Sequence, residues 1–209
     1  MTTYNQLIND VLLELNRNDA DTTAALPRMI SDAQNVLSDK INNLGYVQYV
    51  NGAFIPGQNL YEKPGRWRAW ETFNFGSGAG NNTKNIVEIK VMEYLTVYWP
   101  DATQLAPPQF YADYGYTHFK VAPTPDQAYP FELGYTELPQ PLSAINQTNW
   151  FTDFAPTLLF YATLLQTPGF LRDPERYGEW KAYFDENLDA INRRDLTRKF
   201  DRGTERNAD

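Results

Sequence analysis

The run Thr157-Leu-Leu-Phe-Tyr-Ala-Thr-Leu-Leu-Gln166 is apolar around most of its circumference. A helix of that kind has no face to offer water and must be buried against other elements, so the chain needs a helical body built around it. Pro156 suits the first turn, where no intrahelical donor is required, and Pro168-Gly169 breaks the run. Asp173-Pro174-Glu175 then supplies an N-cap, a first-turn proline and an acid near the positive helix end, which predicts a new helix. Along it Tyr177, Trp180, Phe184, Leu188 and Ile191 recur every three to four residues, so about five turns pack against the body. A polar turn with Ser143, Asn146 and Asn149 leads in from Leu142. Nothing between Leu142 and Ile191 resembles a reaction centre. The region reads as scaffold, and function is expected in what the protein docks against.

The N-terminus offers matching helices. Tyr4, Leu7, Ile8, Val11, Leu12 and Leu15 form one stripe, and Thr3 with Gln6 has capping-box spacing, predicting a helix over residues 3 to 16. A polar connector from Asn16 to Thr23 precedes Pro27, placed in the first turn of a second helix. Met29, Ile30, Ala33, Leu37, Ile41 and Leu44 give its stripe, and Gly45 can terminate it. These two helices should pack antiparallel. The predicted bundle core includes Leu12, Ile30, Leu158, Leu164, Trp180 and Phe184.

From Tyr46 to Pro139 glycine, proline and aromatics become dense, and alternation of period two replaces the helical stripe. Val87, Ile89 and Val91 alternate with Glu88 and Lys90. Thr117, Phe119 and Val121 do so with His118 and Lys120, and Phe131, Leu133 and Tyr135 with Glu132 and Thr136. Each predicts a strand with one buried face. Gly57-Gln-Asn, Gly76-Ser-Gly-Ala-Gly-Asn-Asn82 and Pro123-Thr-Pro-Asp126 read as turns or loops, and residues 94–109 as a surface excursion. The expected class is therefore α+β: a helical bundle from residues 1–45 and 140–196, an inserted antiparallel β domain over 46–139, and an extended arm over 197–209.

Charge and composition narrow the function. The chain has 18 Lys and Arg against 26 Asp and Glu, a formal charge of −8, and gripping nucleic-acid phosphates needs a clustered basic excess instead. With no cysteine, disulfides, thiolate catalysis and cysteine-based zinc sites are excluded. No segment reaches the roughly 18 consecutive apolar residues of a membrane span, and the first residues lack the basic flank and apolar core of a secretory leader. A soluble chain outside the secretory pathway is expected. The sequons Asn81-Asn-Thr83 and Asn146-Gln-Thr148 are then accidental matches.

The candidates for chemistry are weak. Gly76-Ser-Gly-Ala-Gly80 could cradle phosphate only if it followed a strand and opened a helix, whereas Asn85 to Val91 reads as strand; the loop is better taken as an inter-strand connection. His118, the single histidine, falls on the outer face of a strand without metal-ligand spacing around it. No strained serine turn of the G-x-S-x-G kind occurs. Trp67, Trp70 and Trp99 beside Glu71, Glu88 and Glu93 keep one alternative open, a carbohydrate-binding or glycoside-hydrolysing module with two carboxylates in an aromatic cleft. The same aromatics would equally serve burial and protein interfaces. No enzyme activity, metal or cofactor is expected.

The C-terminal segment points toward a partner. Residues 193–206 hold six basic residues against three acidic ones, contrary to the acidic whole. Leu196 and Phe200 sit among Arg194, Arg198, Lys199 and Arg202 at i, i+4, the pattern of a segment that docks apolar anchors into a groove.

The helix Tyr4 to Asn16, the stretch Phe119-Lys-Val-Ala-Pro-Thr-Pro-Asp126 with the following strand and Pro139-Gln-Pro-Leu142, and above all Asn149-Trp-Phe-Thr-Asp-Phe-Ala-Pro156 with the helix pair after it resemble the head-to-tail adaptors of tailed bacteriophages, the group that includes tail tubular protein A. The resemblance implies a homo-oligomeric ring of twelve subunits in the neck of the virion, made in the host cytoplasm and bound to the portal protein on one side. On the other side it meets a tail or nozzle protein, and DNA passes through without specific binding. It further implies that residues 193–209 form the portal-docking arm, with Leu196 and Phe200 as anchors and Arg194, Arg198, Lys199 and Arg202 as steering charges. No membrane contact is implied.

Overall fold

The computed structural model describes residues 2–41, 46–167 and 174–204, with backbone alone for Ala79, Pro174 and residues 194–204. The fold is α+β, helices at both chain ends flanking a β region. It divides into two compact units: Met1–Tyr46 with Pro139–Asp209, and Val47–Leu138.

In the helical unit, α1 (Tyr4–Leu15) begins where its cap predicts. Thr3 accepts from the Gln6 amide at 3.2 Å and the Gln6 side chain accepts from Thr3 N at 2.9 Å, so both ends of the capping box satisfy otherwise orphaned donors. Helix α2 (Ala20–Lys40) differs from expectation. It starts seven residues before Pro27, because Asp19 caps it by accepting from the amide and hydroxyl of Thr22 at 3.0 and 2.8 Å. Pro27 lies inside the helix, where the missing N–H and ring clash ordinarily cost about 3 kcal/mol. Both Pro27 and Thr23, whose carbonyl loses its partner, face solvent, so water can satisfy that carbonyl. The buried stripe is Leu26, Met29, Ile30, Ala33 and Leu37. Its main neighbour is α5 (Pro156–Leu165), more than α1. The predicted stop at Gly45, the break at Pro168-Gly169 and the cap at Asp173 lie outside the described residues.

Short α4 (Trp150–Phe154) is capped by Asn149, whose side chain accepts from the amides of Phe151 and Thr152 at 3.0 and 3.3 Å. Pro156 opens α5, in which Leu158, Leu159, Ala162, Thr163 and Leu164 are buried. The last helix, α6 (Pro174–Thr204), buries Trp180 and Phe184 and packs Leu188 and Ile191 at the margin. Ile30, Leu158, Leu164, Trp180 and Phe184 all join one buried cluster, with Leu12 packed at its edge. Each fully buried leucine or isoleucine there contributes about 1.5–3 kcal/mol. Gln34 ties the two halves of this unit together: its Oε1 accepts from the Leu142 amide at 3.2 Å and from Asn149 Nδ2 at 2.8 Å.

The β unit holds two four-stranded sheets. The first has order β1 (Val47–Ala53), β8 (Pro130–Glu137), β3 (Trp67–Ser77), β4 (Thr83–Ile86), antiparallel throughout. The second runs β2 (Leu60–Glu62), β7 (His118–Ala122), β6 (Phe110–Tyr114), β5 (Glu88–Ile89), antiparallel except for β5 beside β6. An aromatic core lies between them, formed by Phe73, Phe75 and Leu133 of the first sheet, Tyr111, Phe119 and Val121 of the second, and Phe54. Phe73 meets the rings of Tyr111 and Phe119 edge-on at 5.1 and 5.7 Å, the geometry that ring quadrupoles favour.

Two expectations fail here. The strand placed over Val87 to Val91 buries Val87 but leaves Ile89 and Val91 mostly exposed. The chain changes sheets at this point: the Val87 amide donates to Phe73 O, and the next amide, of Glu88, donates to Gln109 O. Alternate residues therefore no longer share a face. At the start of the 94–109 region read as a surface excursion, Met92–Tyr98 forms α3, which begins two residues before it and is fixed by the fully buried Leu95.

Candidate interaction surfaces

The extended arm read over residues 197–209 begins within α6, whose backbone continues through Thr204, as no proline or glycine interrupts the sequence between Glu179 and Arg202. The side chains of Arg194, Leu196, Arg198, Lys199, Phe200 and Arg202 lie outside the described residues, as does all of 205–209. In the sequence, Arg194, Arg198 and Arg202 form one i, i+4 series and Leu196 and Phe200 another.

The root of α6 is firmly held. Arg176 Nη2 reaches Glu14 Oε1 at 2.6 Å and the Glu14 carbonyl at 2.7 Å, and Trp180 Nε1 donates to the same carboxylate at 3.2 Å. The guanidinium carbon lies 5.3 Å from the Trp180 ring centroid. Charge-assisted bonds of this type are the strong ones, and these pin the first turns of α6 to the last turn of α1.

The tryptophans do not form an open carbohydrate platform. Trp67 and Trp70 lie 5.1 Å apart, and the Lys63 ammonium stands over the Trp67 ring, 3.6 Å from its centroid and 5.7 Å from that of Trp70. Lys63 Nζ also meets Asp113 Oδ1 at 2.7 Å and donates to the Gly115 carbonyl at 3.1 Å. Trp70 Nε1 donates to the same Asp113 oxygen at 2.9 Å. The Lys63 side chain is 3% exposed while that of Asp113 is 49% exposed, so a buried cation is held by aromatic faces and one wet carboxylate. Trp99 packs with Met92, Tyr94 and Phe110 around Leu95. Glu71 accepts from Thr136 Oγ1 at 2.8 Å and Glu88 pairs with Lys90 at 3.0 Å.

Other candidates settle into structural roles. His118 is partly buried on β7, its Nδ1 2.9 Å from Thr117 Oγ1, opposite Glu62 and Tyr114 on the neighbouring strands. Among the described residues no three His, Cys, Asp or Glu side chains gather into a metal-sized group. Gly76 and Ser77 end β3, paired with Lys84 and Thr83, and Gly78 to Asn82 connect it to β4 through a 3-10 turn at Ala79–Asn81. A phosphate cradle requires a helix after the glycines, and strand β4 takes that place.

Sequence reasoning passed over the flank of the β unit. A groove of about 550 Å³ opens there, lined by Val50, Tyr61, Lys63, Phe119, Phe131 and Leu133 among others. Its rim, β1, is exposed along Gln48 to Asn51. The signal available was an uncharged stretch, Val47-Gln-Tyr-Val-Asn-Gly-Ala53, in an otherwise charged chain.

Among the described residues no helix is long and apolar enough to cross a membrane. A family model described as SU10 adaptor protein matches residues 2–206. Comparison with curated proteins returns no match.

Proposed function

We infer the role of this chain from the family to which it belongs: it is a member of the SU10 adaptor protein family, and so an adaptor component of a bacteriophage virion. The match over nearly the whole chain is the observation that carries the reading. On it rests a finer proposal, a non-enzymatic ring of twelve copies that binds the portal protein, receives a tail or nozzle protein, and leaves a channel for DNA.

Three physical features support that proposal. The apolar α5 and the bundle around it supply a packed helical body on which a scaffold can be built. The net charge of −8 disfavours adhesion of a phosphate backbone to the walls of a channel. Helix α6 is fastened at its root by Glu14, and the sequence beyond that anchor mixes basic residues with Leu196 and Phe200, a composition suited to steering and then seating on a portal surface.

The test is electron microscopy of the purified full chain mixed with the portal ring, paired with a variant lacking residues 197–209. Wild-type density stacked on the portal, with the truncated chain folded yet unbound, is the expected outcome. Portal binding undiminished by the truncation would remove the docking assignment for this segment.

A further inference from the structure

The first sheet of the β unit ends in two edges, β1 and β4, that match one another. Edge strands are ordinarily protected by charge, proline, a bulge or shortness. Strand β1 has none of these: seven residues without charge or proline pair with β8 in unbroken register from Val47↔Thr136 to Ala53↔Pro130. Among the described residues nothing pairs with its outer side. At the opposite edge, the one charge of β4, Lys84, lies back over its own sheet, 3.3 Å from Glu132 of β8. Neither strand contains an acid, although the chain has 26. Copies of so acidic a protein can approach closely only where acids are missing.

Strand direction supplies a second argument. Three antiparallel ladders separate β1 from β4, so the two edges run in opposite directions. A second copy placed alongside in the same orientation therefore presents β4 antiparallel to β1, and the contact repeats head to tail, the arrangement that closes rings. Pairing β1 with β1 would require a two-fold axis and would invert alternate copies. An adaptor with different partners on its two sides needs every copy to share one polarity.

Side-chain alternation supplies a third. Phe75 faces the core and pairs with Asn85, so Lys84 and Ile86 lie on the outer face. Leu133 faces the core and pairs with Val50, so Tyr49 and Asn51 lie on that same outer face. The Tyr49 ring covers Gly134, where an added Cβ would come within 3.0 Å of Cε1. Tyr49 is 59% exposed and Ile86 78% exposed, an aromatic and a β-branched residue waiting on matching faces of opposite edges. Such cross-strand pairs stabilise sheets.

We propose that β1 of one copy pairs antiparallel with β4 of the next, Tyr49 opposite Ile86 and Asn51 opposite Lys84, so that the sheet continues from subunit to subunit around the ring. This rests on the ring proposed for the family role.

The natural absence of cysteine makes the test clean. Directly opposed residues of an antiparallel pair have Cα atoms about 4.5–5.5 Å apart, within reach of a disulfide. The double variant Asn51→Cys with Lys84→Cys, and Asn51→Cys with Ile86→Cys to catch a two-residue slip, are oxidised as full-length protein across a concentration series, alone and with the portal ring. A ladder of covalent multimers on a non-reducing gel, with single variants yielding none, supports the pairing. Oligomers that form without cross-linking in either pair overturn it and leave the ring intact. Efficient covalent dimers from Asn51→Cys alone would assign β1 to itself and also overturn it. A chain that stays monomeric in every condition defeats both this pairing and the ring.

Discussion

Which partner is removed from the Lys63 and Asp113 pair should decide how much the β unit loses. Lys63 is almost wholly buried, whereas half of the Asp113 side chain meets solvent. In Lys63→Met the hydrocarbon stem is replaced at similar volume, and the abandoned carboxylate turns to water while still accepting from Trp70 Nε1. The lost terms are a charge-assisted hydrogen bond and a cation–π contact, offset by relief of a buried ion's desolvation, for a net cost of about 1 kcal/mol. In Asp113→Asn the acceptor for Trp70 is kept, but a buried ammonium loses its counter-charge. Breaking a buried pair in that sense costs roughly 3–5 kcal/mol. The double variant should recover part of that loss, because it removes the stranded cation. Since two units need not unfold together, the assay is hydrogen–deuterium exchange of the β6 and β7 amides, read as opening free energies. Lys63→Met costing as much as Asp113→Asn, or strictly additive effects in the double variant, would refute the asymmetry.

Three further substitutions probe other parts of the molecule. Gln34→Leu leaves the buried Leu142 amide without its acceptor and should destabilise the helical unit by about 1–3 kcal/mol; Asn149→Ala in that background should add less than it does alone, in a denaturant double-mutant cycle. Leu164→Asp places an unpaired carboxylate at a fully buried site and costs several kcal/mol, so circular dichroism should show loss of the helical unit; a soluble, fully helical variant would show the core is elsewhere. Burial, aided by the Asp113 carboxylate, pushes the Tyr111 hydroxyl up to about 12 from 10.0. The unfolded chain ionises first, so stability is complete below about pH 10 and falls toward pH 12, by 2–3 kcal/mol at most, roughly 1.4 kcal/mol per unit. Tyr111→Phe should flatten that alkaline limb in thermal melts.

Where local chemistry decides, the sequence is readable. The Thr3 and Gln6 box, Pro156 at a first turn and the Trp180 and Phe184 stripe each involve residues within a turn or two, and the structure contains all of them. Where distant contacts decide, it is not. The start of α2 depends on an Asp19 cap that tolerates an exposed Pro27 downstream, against ordinary proline logic. Ile89 and Val91 lose their shared face because the chain switches sheets at Val87. Helix α3 is held by Leu95 packing on Ala112 and Ala122, residues with no local trace in its own segment. The buried position of Lys63 against Trp67 required pairing β2 with β7, and the free edges of the first sheet appear only once its strand order, β1-β8-β3-β4, is known.

The pairing of Val47 with Thr136 has an evolutionary consequence. The first and last strands of the β unit are neighbours, so the chain departs from the helical unit and returns to it about one strand spacing apart, near 5 Å. A segment attached at two such adjacent points can be lengthened, shortened or exchanged with little demand on the helices on either side. The core of α2, α5 and α6 and the aromatic core of residues 47–138 are in this sense separate constraints on the sequence. A change within residues 47–138 that keeps their two ends adjacent is thus open to evolution without repacking the helical core.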